Sequence, residues 1–293
     1  MTGRVLGLSA GSTGGSVEIV LSAALRAARG EGADAELVRL NEVDLDRPEH
    51  ADWLWERLVE CDGLIVATPI ISRTMAAGLK VLVDRLLGPN ADAAIIEHLV
   101  ALRAAGGEPV VPFRVDPRVL RPRVAGFLAV GGSLTPQWKT LALPLLHTVT
   151  FSMHIAVVDQ VVFEGAGTPR SIVLDQAALD RAARLGANVA SQLGRPAGEA
   201  EYRGEPGLCP MCQLDVVALH GTDVECATCG ARGVLQDDRV EWTGLEASVI
   251  SMAEKRAHAA EIQATAARHH ERQARIDELV AAQPVFDAIV RPS

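Results

Sequence analysis

Short, almost wholly apolar runs alternate with helical patterns along most of this chain, and that alternation admits few folds. Residues 4–8 (RVLGL) precede a helical pattern over Val17–Arg29, with Val17, Val20, Leu21, Ala24, Leu25 and Ala28 on one face. Glu36–Leu40, Leu64–Thr68, Ala125–Val130 and Ile155–Val162 read as further strands. Helices are predicted over Trp53–Val59, Met75–Leu87, Thr140–Thr150 and Gln176–Leu193. Strands that are apolar throughout need cover on both faces, and alternation with helices makes their sheet parallel.

Five such units fit an α/β fold with a doubly wound five-stranded sheet in the flavodoxin-like order 2-1-3-4-5. Residues 89–123 exceed a minimal unit. They hold a helical pattern at Ala93–Ala104 and then the Pro-punctuated EPVVPFRVDPRVLRPR, and they read as an insertion near the active face. The expected organisation is a flavodoxin-like unit over 1–194, a Gly/Pro/Glu linker over 195–207, a cysteine segment over 208–243, and a long C-terminal helix with a tail over 244–293. That helix has high intrinsic propensity but a thin apolar face of Val249, Met252, Ile262, Ile276 and Leu279, so it needs another element or subunit to pack on.

Composition narrows the function classes. Hydrophobic residues make up 48% and charged residues 22% of the 293, as in ordinary globular proteins. A net charge of −9 argues against nucleic acid as a partner, since nonspecific affinity there comes from a basic footprint. Apolar stretches such as Ile155–Val162 are broken by charge well short of a membrane span. The run Val5–Leu8 is too short for a signal-peptide core and Arg4 is a poor basic flank, so the expectation is a soluble, cytoplasmic protein without membrane contact.

In an open α/β sheet, ligands bind beyond the carboxyl ends of the strands. The loop there after the first strand is Ser9-Ala10-Gly11-Ser12-Thr13-Gly14-Gly15-Ser16. Small residues let backbone approach an anion, and the N–H groups and dipole of the following helix favour negative charge. Without a Gly-Lys-Ser/Thr ending it is no Walker A loop, and it is not GxGxxG. A plain Gly/Ser turn with Ser16 as helix N-cap fits the same residues equally well. Two further loops share this edge. One is Thr68-Pro69-Ile70-Ile71-Ser72-Arg73-Thr74-Met75, leading into Ala77-Gly78-Leu79-Lys80 and Asp84-Arg85; the other is Gly131-Gly132-Ser133-Leu134-Thr135.

From Arg4 to Leu193 the chain resembles the NADPH-dependent FMN reductase family, most strongly in CDGLIVATPIISRTMAAGLKVLVDR, Cys61 to Arg85. The resemblance implies FMN at these loops and NAD(P)H as hydride donor. Ser9, Gly11, Ser12, Thr13, Gly14, Gly15, Ser16 and Val17 would hold the phosphate. Pro69, Ile70, Ile71, Ser72, Arg73, Thr74 and Met75 would run along the ring system, and Gly131, Gly132 and Ser133 would close its other edge. The family's phosphate loop usually carries an arginine where Thr13-Gly14-Gly15 stand, and an aromatic often stands at Ile71. Trp138, Phe113 or a residue of another subunit could replace that aromatic. The implied acceptor is a small molecule: free flavin, a quinone, or a nitro or azo compound. The resemblance and the thin C-terminal stripe also imply a homodimer or homotetramer. Flavin carries the reaction chemistry itself, so no catalytic acid or base is assigned.

Cys209-Pro-Met-Cys212 and Cys226-Ala-Thr-Cys229 form two knuckles separated by residues 213–225. Four thiolates so paired suit tetrahedral zinc in a closed, structural site. Rubredoxin-type iron is the second reading, and with it a non-enzymatic electron carrier or binding protein using the ribbon for partner contact; rubredoxin has longer spacing and an aromatic core, against only Tyr202 and Trp242 here. The remaining candidates have plainer roles. Cys61 heads a buried strand with no histidine beside it, Lys80 and Asp84 suit a surface pair, His147 and His154 suit structural roles, and His269-His270 suit a solvated face. Arg73 fits either a phosphate contact or solvent.

Overall fold

The computed structural model describes residues 3–108, 114–283 and 290. Phe113 and all of the tail from 284 except Val290 lie outside them. Five parallel strands form the main sheet: β1 (Arg4–Ser9), β2 (Asp34–Arg39), β3 (Gly63–Pro69), β4 (Val124–Val130) and β5 (Ala156–Phe163), in the order β2-β1-β3-β4-β5. Helices cover both faces. α1 (Ser16–Gly30) and α6 (Gln176–Ser191) lie on one; α2 (Pro48–Glu60), α3 (Ala77–Arg85), α4 (Ala93–Ala104) and α5 (Ala142–Leu146) lie on the other.

The two cores follow from the strand period. Val5, Ile65, Ala67, Leu128 and Val158 face α1 and α6, while Leu6, Leu8, Leu64, Val66 and Phe127 face the opposite layer. α1 and α6 cross so closely that a Cβ on Gly186 would lie 1.9 Å from the Ala24 carbonyl oxygen. α6 is also tied to β5 by charge: the buried Asp159 accepts from Arg181 at 2.5 and 3.0 Å and from Asn188 Nδ2 at 2.8 Å.

The insertion departs from expectation. Its end does not approach the carboxyl edge of the sheet but closes the opposite one. The Arg123 guanidinium, 1% exposed, donates to the carbonyls of Val59, Cys61, Val119, Arg121 and Arg118 around the amino end of β3. Five carbonyl acceptors compensate a buried cation that has no carboxylate partner among the described residues.

A second sheet follows, antiparallel: β6 (Val217–His220), β7 (Asp223–Cys226), β8 (Arg232–Gln236) and β9 (Arg239–Gly244). The C-terminal helix is broken in two, α7 (Met252–His270) and α8 (Gln273–Ala281). α7 starts on a Ser251 cap that accepts from Glu254 N at 3.0 Å and packs Ala259 and Ile262 on α4. Lys255 reaches Asp92 at 3.5 Å, and Arg256 grips Glu97 at 2.8 and 3.0 Å. The break falls at the charged run Arg268–Gln273, which has no apolar residue to dock; Leu279 and Val280 of α8 stay exposed.

Candidate functional site

The carboxyl ends of β1, β3, β4 and β5 are in register, with Ser9 opposite Ala67, Pro69 opposite Val130, and Val130 opposite Phe163. Their loops therefore gather at one edge. The first loop is stitched down by Ala10 N donating to Ala67 O at 2.9 Å and Gly15 N to Ser12 O at 2.9 Å. Gly15, not Ser16, is the N-cap of α1, and no side chain caps the helix. Ser9 and Ser16 each bury a hydroxyl oxygen with no partner, and Ser9 is fully buried. An uncapped helix start beside two orphaned hydroxyls favours the anion-binding reading of Ser9–Ser16 over the plain turn. Glu18 in the first turn would oppose an anion, but Arg39 takes its carboxylate at 2.7 and 2.9 Å and holds its pKa below the usual range.

The second loop is a two-residue hairpin. Ile71 N donates to Thr74 O at 2.9 Å and Thr74 N to Ile71 O at 3.0 Å. The residues between, Ser72 (φ 48°) and Arg73 (φ 75°), are both left-handed, as a type I′ turn demands. Neither is glycine, so each carries strain of about 1–2 kcal/mol. The buried Thr68 hydroxyl braces the loop by accepting from Ala76 N at 2.9 Å. Such strain gathers at ligand clamps.

The third loop joins the second through Ile70 N to Val130 O, 2.8 Å, and joins β5 through Gly131 N to Phe163 O, 2.8 Å. Gly132 passes so near Gly167 that a Cβ would lie 2.8 Å from its Cα. Ile70, Ser72 and Arg73 face Gly131, Gly132 and Ser133 across a cleft of about 260 Å³, which Trp138 also lines. Trp138 is 56% exposed, which fits the expected replacement for the aromatic missing at Ile71. Pro69 ends β3, while Thr74 and Met75 lead away to α3; none of the three lines the cleft. Arg73 is exposed at its rim. A larger cavity, about 520 Å³, lies at the amino end of β5 beside the first cysteine knuckle and the start of α7, and shares no residue with these loops.

A fourth loop, Glu164–Arg170, was not foreseen. Ala166 N donates to Gly131 O at 3.0 Å, and Glu164 pairs with Lys139 beside the cleft. Its signal was readable: a run of small residues (Gly165, Ala166, Gly167) after an apolar strand, like the first loop.

The other motif folds as its spacing predicts. The Sγ atoms of Cys209, Cys212, Cys226 and Cys229 lie within 4.8 Å of one another, all buried, with Cys209–Cys229 at 3.6 Å and Cys212–Cys226 at 3.5 Å. These separations exclude disulfides and approach the edges of a tetrahedron with about 2.3 Å metal–sulfur bonds. The knuckles match: Gln213 N donates to Cys209 O and Gly230 N to Cys226 O, both at 2.8 Å, with Gln213 and Gly230 both left-handed. The four sulfurs fit a zinc-ribbon-like segment.

Gln160 of β5 links this ribbon to the main sheet. Its amide nitrogen donates to Cys212 O at 2.8 Å and Gln213 O at 3.2 Å, so its oxygen must accept from His147 Nε2 at 3.0 Å. His147 is fully buried, and burial lowers its pKa to about 4, so it is a neutral structural residue as expected. Cys61 is also structural: desolvation raises its thiol to about 11. Lys80 and Asp84 form the expected surface pair.

The model of the NADPH-dependent FMN reductase family matches residues 4–166, more than half of the chain. The chain belongs to that family. Flavone synthase cfoJ from Aspergillus candidus is 37% identical over 272 residues, 82% of this chain and 81% of that protein. A solved flavone reductase superposes with a TM-score of 0.79 at 24% identity, covering 98% of this chain and all of the other, so the fold is shared beyond the flavodoxin-like unit. Family membership makes the protein an NAD(P)H-dependent flavin oxidoreductase using FMN. The first loop fits such a cofactor, having an uncapped helix start, two unpartnered buried hydroxyls and small residues for close approach. Among the described residues no helix is long and apolar enough to cross a membrane.

Proposed function

We propose that this reductase holds FMN across the four loops and exchanges hydride with the conjugated double bond of a flat, flavone-type ketone. FMN, when bound, supplies the redox chemistry between NAD(P)H and the organic acceptor. Ser9, Gly11–Val17 and the start of α1 receive the phosphate. Ile70, Ser72 and Arg73 on one side and Gly131–Ser133 on the other flank the ring system, and Trp138 offers the acceptor an aromatic face. The reading rests on one observation above the others: 37% identity to a flavone synthase over most of both chains. Free flavin, quinones, nitro and azo compounds are the competing acceptors. The ribbon holds one structural zinc, since four protein sulfurs leave no open position. A homodimer or homotetramer is proposed, and sedimentation as a monomer at micromolar concentration would contradict it.

Acceptor choice is tested anaerobically with FMN-loaded protein, NADPH and a hydroxylated flavone. The expected result is NADPH consumption matched by a product two hydrogens heavier. Turnover with quinones but none with the flavone would overturn this choice of acceptor.

A further inference from the structure

The Ser9–Ser16 loop contains no cation, yet a flavin phosphate brings about −2 charge. Hydroxyls and a helix dipole only partly compensate that, in a protein of net charge −9. Arg39 is near the helix start but engaged, with Nε and Nη2 on Glu18 and Nη1 on Glu42 at 3.4 Å.

Arg170 comes from the other side. α1 and α6 share one face of the sheet, so the chain between β5 and α6 runs back over the carboxyl edge toward the start of α1. Its Nη2 lies 3.7 Å from where a Cβ of Gly14 would stand, the nearest heavy atom to that point outside Thr13–Gly15 among the described residues. Arg170 is exposed, and among the described residues no carboxylate pairs with it. Its backbone is fixed. The residue is left-handed at φ 65°, Val173 N donates to Arg170 O at 3.2 Å, and Ser171 Oγ donates to Thr168 O at 2.8 Å. Two residues on, Ile172 is buried in the same core as Val17 and Val20. A strained, anchored backbone thus delivers an unpaired guanidinium to Gly14, in the loop that begins at Ser9 and ends at Ser16, the two serines with orphaned hydroxyls.

We infer that Arg170 is the phosphate-binding cation of the FMN site, supplied by the β5–α6 loop in place of an arginine in the β1–α1 loop. The inference rests on the reading of Ser9–Ser16 as the FMN phosphate site. A planar, permanently charged fork suits a phosphate better than an ammonium does.

Titrating apoprotein with FMN and with riboflavin, followed by flavin fluorescence, separates the two. Wild type should bind FMN more tightly than riboflavin, and added salt should narrow the difference. Arg170→Gln should weaken FMN about 10- to 100-fold while leaving riboflavin affinity unchanged, and Arg170→Lys should fall between. Melting curves and metal content confirm that the variants fold. Should wild type bind neither flavin, the reading of the site itself fails. Should Arg170→Gln keep the wild-type preference for FMN, or lose both flavins equally, the role of Arg170 is overturned while the site stands.

Discussion

Asp116 and Trp55 meet on the side of the sheet away from the loops, where the indole Nε1 donates to the carboxylate at 2.8 Å and Arg118 adds contacts at 2.8 and 3.0 Å. Burial alone would raise the Asp116 pKa, but the Arg118 and Trp55 bonds outweigh it and hold it at about 2. The group is thus more acidic folded than unfolded. Its stabilisation is complete above its unfolded value of 3.8 and is lost as the pH falls through about 2. Asp116→Asn is expected to lower the melting temperature near neutrality, with the gap to the parent closing as the pH falls across that window. A gap that stays constant with pH would show that the charge contributes nothing. At this scale the sequence spoke clearly only where chemistry is local. Four cysteines in two pairs and a run of Gly and Ser announce themselves by spacing. Asp116, Arg123 and Arg170 do not, because each also meets a distant segment (Trp55, the Val59 and Cys61 carbonyls, and Gly14 respectively) that only the fold brings near.

Elements were legible in proportion to how much of their own surface they bury. The five parallel strands were readable to within a residue or two: β1, β3 and β4 are buried on both faces, and the edge strand β2 still alternates buried Ala35 with exposed Asp34 and Glu36. Thr140–Thr150 was less so. It is one short helix, α5, followed by a 3-10 turn at His147–Val149. The hairpin β8–β9 was missed, although Val234, Val240 and Trp242 mark its strands; its turn places Asp237 at φ 53°, a position no glycine signals. The ribbon is more than an appendage, because Gln160 fastens it to β5. Gln160→Glu would present a carboxylate to the Cys212 and Gln213 carbonyls, which need donors. The change should destabilise the protein by about 1–3 kcal/mol, and metal should escape at lower chelator concentration. Unchanged melting and metal retention would show that the ribbon is held by apolar packing around Leu143, Leu214 and Ile250 alone.

For the molecule as a whole, the topology does most to set the function. The order β2-β1-β3-β4-β5 brings four loops to one edge, and the crossing of α1 on α6 sends the β5–α6 loop back to the first. The sequence pattern predicted three of those loops and the sheet order but put the insertion at the wrong end, since nothing local tells which edge a Pro-rich segment closes. The central claim is that this edge holds FMN and delivers electrons from NAD(P)H. The direct measurement is to load the protein with FMN, remove oxygen, add one equivalent of NADPH and follow the visible flavin band. The account predicts bleaching of the bound flavin, with colour restored by an organic acceptor. A protein that takes up no FMN, or whose bound FMN keeps its colour with NADPH and NADH alike, would contradict it.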